Sequence, residues 1–405
     1  MPDIGIVGAG ISGIQLALRL QQAGAATTLY AQRSLAEVAA GPPLNAVVRF
    51  DQARGREREL GVEHWAGSPT DVIGINFAAG GEHPLGFFGR FDRPGSAVDF
   101  RIYLPRLVED YQARGGELKI MDIDVPVVEG LAERHDLVVV ATGRDGFSGL
   151  FARDEQRSQF AQPQRALTAG FYHGIADSEP SWVHFELIPG VGEMFCSKLL
   201  TFGGPAHGLV AEGVPGTRLA ALSTMDHRQD QRAFERAVLD LVTVYSPQLR
   251  ARIDEREFRL ARPIDVLQGA ITPTVRRAWV RLGNGRYAMT VGDAWVLNDP
   301  VAGQGANLGS ATASLLAEEI LASEVYDEQF CRRAEDMMWA IAEPVVNWSN
   351  ALLGPPPDPM VEVLDRAGTD QRIADGFVEN FNRPAEMWEM VGTPESTKAW
   401  LSKFD

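Results

Sequence analysis

The sequence predicts an α/β fold: a layer of parallel strands and helices, interrupted by an antiparallel sheet and followed by a helical C-terminal region. Three observations predict it. The chain opens on "DIGIVGAGISGIQLALRL", where Ile4, Ile6 and Val7 read as a buried parallel strand and Ile14, Leu16, Leu18 and Leu20 as an apolar helix. From about 167 to about 224 the pattern alternates instead, in "LTAGFYHG", "WVHFELI", "EMFCSKLL" and "GLVAEGV", with Gly and Pro between the runs. Such runs argue for an antiparallel sheet. Near the end, "VGDAWVLNDPVAGQGANLGSA" carries a second glycine-rich strand-to-helix turn, so the chain returns to its first layer.

The remaining elements follow in order. "AATTLYAQR" supplies the second strand of a strand–helix–strand unit. After Pro42 and Pro43 comes "FDQARGRERELGVEHW", whose arginines alternate with acids and predict a solvated helix. "SAVDFRIYLPRLVEDYQARGGEL" has an apolar face at helical spacing, and "LKIMDID" and "DLVVVATG" read as strands. Beyond the alternating region a helix is expected near 228–245, then strands in "AWVRLG" and "YAMTVGD", then a helix from Asn307. The last ~75 residues read as mostly helical and rich in Trp and Met.

Composition narrows the function. The 405 residues are 45% hydrophobic, enough for one or two substantial cores. A net charge of −16 and a pI near 5.0 argue against nucleic acid and anionic membrane surfaces as partners. Cys196 and Cys331 lie far apart without metal-ligand company, so neither a metal site nor a disulfide framework is expected. The N-terminus enters a strand within three residues, and no apolar run approaches ~20 residues. A cytoplasmic location, with no membrane association, is the expectation.

Gly8-Ala9-Gly10-Ile11-Ser12-Gly13 is a GxGxxG between a strand and a helix. Gly8 permits the tight turn, Gly10 lets the backbone approach a pyrophosphate, and Gly13 lets helix and strand pack closely. The pyrophosphate would sit on the helix N-terminus, where unpaired amides favour negative charge. At the end of the second strand, where an acid usually holds the ribose, the chain reads Ala31-Gln32-Arg33. Gln32 can still bond a hydroxyl, without charge assistance, and Arg33 can flank the adenosine.

The second turn explains why one chain has two. FAD carries a pyrophosphate in its middle and a flavin ring at its far end. With Gly292-Asp293, Pro300 and Gly303-Gln304-Gly305-Ala306-Asn307, the sequence resembles the aromatic-ring flavin monooxygenases of the glutathione-reductase type. The resemblance implies a glutathione-reductase-type FAD-binding fold, a Rossmann-like βαβ with parallel sheet interrupted by an antiparallel-sheet substrate domain. It also implies that Asp293 holds a ribityl hydroxyl and that the amides from Gly303 to Asn307 face the flavin carbonyl edge. Arg101, in "SAVDFRIYLP", matches the helix arginine that reaches the FAD phosphate or ribose in this class. The expected division is a discontinuous FAD-binding domain over 1–50, 97–150 and 270–325. A substrate-binding domain would span 51–96 and 151–269, and a C-terminal helical region 326–405.

Departures from that class sharpen the reading. Gly-Asp-Ala-Ala-His is replaced by Gly292-Asp293-Ala294-Trp295-Val296, and Thr142 stands where an aspartate would serve both FAD and nicotinamide. Asp145-Gly146 just beyond reads as a displaced remnant or a chance match. No second strand-linked GxGxxG offers a home for NADH, so the chain is expected to receive flavin already reduced.

Over essentially its whole length the chain is similar to styrene and indole monooxygenases, the two-component flavin epoxidases. The matching runs include "LNAVVRF", "DVLQGAITP", "VGDAWVLNDPVAGQGANL" and "DGFVENFNRPAEMW". The resemblance implies that a separate NADH:FAD oxidoreductase delivers reduced FAD, by transient docking or by diffusion. The flavin then reacts with O2 to give a C4a-hydroperoxide that passes an oxygen atom to a small apolar aromatic alkene. Asn45 would stand beside flavin and substrate, with Pro300 and Val301 near C4a. Leu44, Val47, Arg49, Val72 and Ile75 would line the substrate pocket. Asn45 and Val47 match the styrene type, Val72 and Ile75 look like the indole type, and Arg49 departs from the styrene pattern. The balance leans slightly to indole, and a homodimer is left open.

Two other readings stand beside this one: a single-component NAD(P)H-dependent aromatic hydroxylase, and a non-enzymatic flavin-binding regulator. "WVHFELIP" resembles the Trp-x-Trp-x-Ile-Pro of flavin halogenases but lacks the second Trp. His135, His173, His184, His207 and His227 read as ordinary loop or surface histidines, and Met337, Met338, Trp339 and Trp348 as core.

Overall fold

The computed structural model describes residues 1–80, 84–143 and 149–405. Strand β1 (Asp3–Val7), helix α1 (Ile11–Gln22) and strand β2 (Ala26–Ala31) form the opening unit, with β1 and β2 parallel. Ile4, Ile6 and Val7 are fully buried, as a parallel strand covered on both faces requires. Helix α2 (Leu35–Ala40) starts on a capping box between Ser34 and Glu37. An irregular segment then leads to α3 (Asp51–Leu60).

The solvated helix expected here is corrected by the structure. Glu57 is 0% and Arg54 6% exposed. Arg54 binds Glu63 and the Pro94 carbonyl, while Glu57 binds Arg49 and Tyr103, so these charges are paired inside the fold. Charge alternation along a helix cannot reveal partners that other elements bring.

Strands β3 (Asp71–Ala79) and β4 (Leu85–Ser96) pair antiparallel, outside the first layer. The chain returns through α4 (Phe100–Ala113), capped by Asp99, then β5 (Glu117–Ile120), α5 (Val125–Arg134) and β6 (Leu137–Val140). It leaves again for β7 (Ala166–His173), β8 (Val183–Ile188), β9 (Gly192–Thr201) and β10 (Gly204–Gly213). Helices α6 (Arg218–Ala221), α7 (Gln231–Tyr245) and α8 (Pro247–Arg250) follow, then strands β11 (Arg259–Leu260) and β12 (Val266–Ala270). The resulting sheet runs β11-β7-β10-β9-β8-β3-β4, with β12 also on β7. Its pairs are antiparallel except β3 with β8.

Strands β13 (Thr274–Val275) and β16 (Val296–Leu297) pair with each other, flanking β14 (Trp279–Arg281) and β15 (Tyr287–Thr290). The last two complete the first sheet, in the order β14-β15-β6-β1-β2-β5. Helix α9 (Gly305–Ala322) then packs along α1. Helices α10 (Glu328–Ala351), α11 (Asp358–Ala367), α12 (Gln371–Glu379), α13 (Pro384–Val391) and α14 (Pro394–Leu401) end the chain. One apolar core joins the first sheet to α1, α4, α9 and α10. A second joins the antiparallel sheet to the C-terminal helices and includes Val301 and Trp348.

The histidines are a further correction. His135, His184, His207 and His227 are buried, because each finds a polar or charged neighbour inside the fold: Asp3 and Tyr30, Glu186 and Ser246, Asp177, and Gln268 respectively. Among the described residues no helix is long and apolar enough to cross a membrane, and no group of three or more His, Cys, Asp or Glu could hold a metal ion.

Candidate active site

The two glycine turns meet in space. Gly8 has φ +116°, and a Cβ on it would lie 2.3 Å from the Ala141 carbonyl oxygen at the end of β6. A Cβ on Gly13 would lie 1.9 Å from the Gly8 oxygen. Only glycine lets strand ends and helix start approach this closely. On the far turn, a Cβ on Gly292 or on Gly309 would lie 2.4 Å from Ser12 Oγ, so α1, the Gly292 turn and α9 converge on one residue. Asp293 stands beside the second helix start, its Oδ1 3.8 Å from where a Gly305 Cβ would be.

Both helix starts lack a side-chain cap. Helix α1 begins after Gly10 and α9 after Gln304, with neither a capping hydrogen bond nor an acid in the first turn. Helices α2, α4, α5, α7, α10 and α12 are capped by Ser34, Asp99, Asp124, Asp230, Asp327 and Asp370 in turn. Helices α3, α11 and α13 lack a cap but carry Asp51, Asp358 and Glu386 in the first turn, and the four-residue α8 has neither. An uncapped start leaves backbone N–H groups and the positive end of the dipole for an anionic ligand. Two such ends side by side suit a ligand that is long and anionic. Gln32 and Arg33 are exposed immediately after β2, with Gln32 Nε2 donating to the Ile123 carbonyl at 3.5 Å.

Arg101 takes a different place from the one expected. Its side chain is fully enclosed. Nε donates to Asp99, Nη1 to the Gly41 carbonyl, and Nη2 to both Asp99 and Asp265. The expectation of a phosphate contact is corrected: two buried carboxylates already neutralise this guanidinium and order the start of α4.

Asn307 ties the segment carrying Asn45 to the second turn. Its Oδ1 accepts from the Phe50 N–H, and its Nδ2 donates to the carbonyls of Val48 and Gly303, all at 3.0 Å. Asn45 itself is half-buried in this segment. Ala46, Val48 and Phe50 pack into the apolar cluster that holds Val301. Leu44 and Val47 pack against the other core, beneath the first sheet. Gln304 donates to the Ala302 and Phe381 carbonyls, joining the turn to the C-terminal helices.

Val301 lines a narrow apolar recess. Aromatic walls come from Phe77, Phe185, Trp348, Phe377 and Phe381, and Pro356 and Met360 come from the C-terminal region. Sequence reasoning missed these aromatic residues. The one signal for them was aromatic residues at same-face positions of strands such as β3 and β8, which looks like any sheet core.

None of the five expected pocket residues, Leu44, Val47, Arg49, Val72 and Ile75, lines this recess. Arg49 is 1% exposed, paired with Glu57 at 3.1 Å and stacked 4.2 Å over the Tyr103 ring, which removes it from any open cavity. Val72 and Ile75 are packed inside the second core and are not among the residues lining the recess. Ile75 precedes Phe77 on the same face of β3, so it lies beside the wall, further along the strand. Thr142 Oγ1 is buried without a hydrogen-bond partner among the described residues, and Asp145-Gly146 lies outside them.

Residues 143–252 match a family described as "Styrene monooxygenase A putative substrate binding domain". The styrene monooxygenase StyA of Pseudomonas fluorescens is 34% identical, covering 99% of this chain and 98% of its own. A second StyA, from Pseudomonas sp, is 35% identical with the same coverage. The chain belongs to the styrene monooxygenase family. Membership makes this styrene monooxygenase relative a flavin-dependent monooxygenase. Among solved structures it is similar to the flavin-dependent brominase Bmp2, with a TM-score of 0.67 at 15% identity, over 96% of this chain and 99% of that one. It is also similar to p-nitrophenol 4-monooxygenase PnpA from Pseudomonas putida DLL-E4, with a TM-score of 0.65 at 14% identity, over 95% and 98%. At such identities the styrene monooxygenase family shares a fold with these proteins, and nothing further is carried over.

Proposed function

We propose that the chain is the oxygenase component of a two-component system that epoxidises a small aromatic alkene of the indole or styrene type. It would take FAD reduced by a separate NADH:FAD oxidoreductase. The observation that carries the reading is the pair of uncapped helix starts converging on Ser12, with Val301, just ahead of the second start, lining an aromatic-walled recess. FAD fits those starts: the amides from Ile11 to Gly13 would hold the pyrophosphate, with Gln32 and Arg33 near the adenosine. Asp293 would hold the ribityl chain, and the amides from Gly303 to Asn307 the flavin edge.

Reduced FAD supplies two electrons and activates O2, so that one oxygen atom goes to the alkene and the other to water. The protein's own part is to bind, orient and exclude water. Phe77, Phe185, Phe377 and Phe381 hold the flat apolar substrate, and Pro300 and Val301 separate it from the second turn. Asn45 is the polar group on the segment that Asn307 anchors there. Trp348, 1% exposed, closes the apolar wall.

The test supplies chemically reduced FAD and O2 with styrene or indole, and no reductase. Epoxide formation is expected, with no NADH oxidation by the chain alone. NADH consumed by the chain alone, accelerated by substrate, would sink the two-component reading in favour of a single-component hydroxylase. FAD binding with no product from either alkene would favour a regulator.

A further inference from the structure

Behind Val301 lies a buried polar cluster that the proposed reaction does not use. Glu193 on β9 and Glu212 on β10 are direct cross-strand partners, and both are almost fully buried. Two carboxylates facing each other on a buried surface repel unless each has its own partner. Glu193 has Arg165, whose Nε and Nη2 donate to its two oxygens at 2.7 and 2.8 Å. The same guanidinium donates to the carbonyls of Leu353 and Leu352, at 3.2 and 3.3 Å, at the end of α10. Glu193 and Leu352 both line the apolar recess.

The partner of Glu212 is another acid. Asp299 is 1% exposed, and its carboxyl interacts with that of Glu212. Its Oδ1 accepts the Val301 N–H at 3.2 Å, which starts the turn Pro300–Ala302. Glu212 Oε2 and Asp299 Oδ2 are buried, and neither has a hydrogen-bond donor among the described residues. Two carboxylates cannot hydrogen-bond each other, so their contact needs a proton held between them. Were Glu193, Glu212 and Asp299 all ionised against the single Arg165, two negative charges would stay uncompensated in the interior.

We propose that Glu212 is a positioning residue: it keeps its proton, donates it in a hydrogen bond to Asp299, and so holds the Asp299–Val301 turn against the recess. The inference rests on the recess being the alkene site. The groups facing Glu212 are Asp299, Glu193 and Arg165. Burial raises both acids, and only Asp299 has a backbone donor, the Val301 N–H, to stabilise its ionised form, so Glu212 is the one that retains the proton. A buried acid pair is a costly way to fill space, and an apolar pair of the same volume would pack as well. What the acids add is direction, since the bond chain Glu212 to Asp299 to the Val301 N–H fixes the turn's orientation.

The experiment compares wild type, Glu212→Gln and Glu212→Leu in two measurements. Thermal melts without flavin or substrate are taken from about pH 6 to about pH 9. Turnover of styrene and indole with chemically reduced FAD is measured over the same range. A raised acid binds its proton more tightly in the folded state, so wild-type stability falls as pH climbs towards the folded value of Glu212. Gln keeps a neutral donor, and its melting profile is expected to be flatter. At neutral pH Gln should hold KM for the alkene within about twofold, whereas Leu should raise it on the order of tenfold or more. On the alkaline side wild-type KM should climb while that of the Gln variant stays level.

Equal pH dependence of melting in wild type and Glu212→Gln overturns the proposal, as does a Gln variant as impaired as the Leu one. Should the Leu variant fail to fold, the Gln profiles decide. If melting behaves as expected but no form converts either alkene, the reading of the recess fails while the shared proton stands.

Discussion

Ser12 Oγ lies 2.4 Å from where a Cβ on Gly309 would be, so α9 lies along α1 in this arrangement with no room for a side chain at 309 unless Ser12 moves. Gly309→Ala would gain about 1 kcal/mol of helix propensity and lose about 1–3 kcal/mol to overpacking, so a net destabilisation is expected. Ser12→Ala should relieve it, since the next nearest atom, Ser12 Cβ, is at an ordinary 3.7 Å. Gly292→Ala should not be rescued: Ser12 Cβ is 3.1 Å away and Gly292 has φ +66°. A double-mutant cycle read by chemical denaturation checks this, and rescue of both glycine variants would refute it.

Arg49 and Glu57 form an ion pair with both side chains essentially unexposed. Tyr103 donates to Glu57 at 2.7 Å, and Gln15 to Tyr103 at 3.0 Å, tying α3, α4 and α1 together. Removing one member leaves the other charge buried. Arg49→Ala is expected to cost about 3–5 kcal/mol, while Arg49→Met with Glu57→Leu should cost much less. Urea unfolding curves of the three proteins measure the difference.

His207 supplies an acid-side dependence. Burial pushes its imidazole down to about 4, against the ordinary 6.5. The unfolded chain therefore binds the proton more readily, and stability falls as pH drops from 6.5 towards 4. The full effect is up to about 3 kcal/mol. His207→Gln should flatten the fall in melting temperature across that window, and an unchanged profile would rule out His207 as its source.

Asn307 makes three hydrogen bonds that hold the segment carrying Asn45 against the second turn. Asn307→Ala should cost about 2 kcal/mol by stranding buried backbone groups. Hydrogen exchange should speed up at the Phe50 amide. Turnover should fall with it if Asn45 acts beside the substrate.

Local chemistry made much of this protein legible. Gly8, Gly10 and Gly13 after Ile4–Val7 announce a strand, a tight turn and a helix within a dozen residues. Gly292, Asp293 and Gly303 do the same near the end. The alternation in "WVHFELI" announces β8. Charged groups were read less well, because the Arg49–Glu57 pair is enclosed by Ser96 and Tyr103, and Arg101 and His207 meet Asp265 and Asp177, all brought from other parts of the chain. The substrate wall was missed for a related reason: Phe77, Phe185 and Phe377 come from three separate parts of the chain, and each alone reads as ordinary core.

By itself the sequence determined the two glycine turns, the alternation of layers and the family they belong to, since these rest on backbone freedom and short-range periodicity. The tertiary structure decided which charges pair, which apolar residues face the recess, and that Glu212 meets Asp299. Those facts depend on which distant residues share a buried volume, where an unpaired charge is costly and its partner sets its proton.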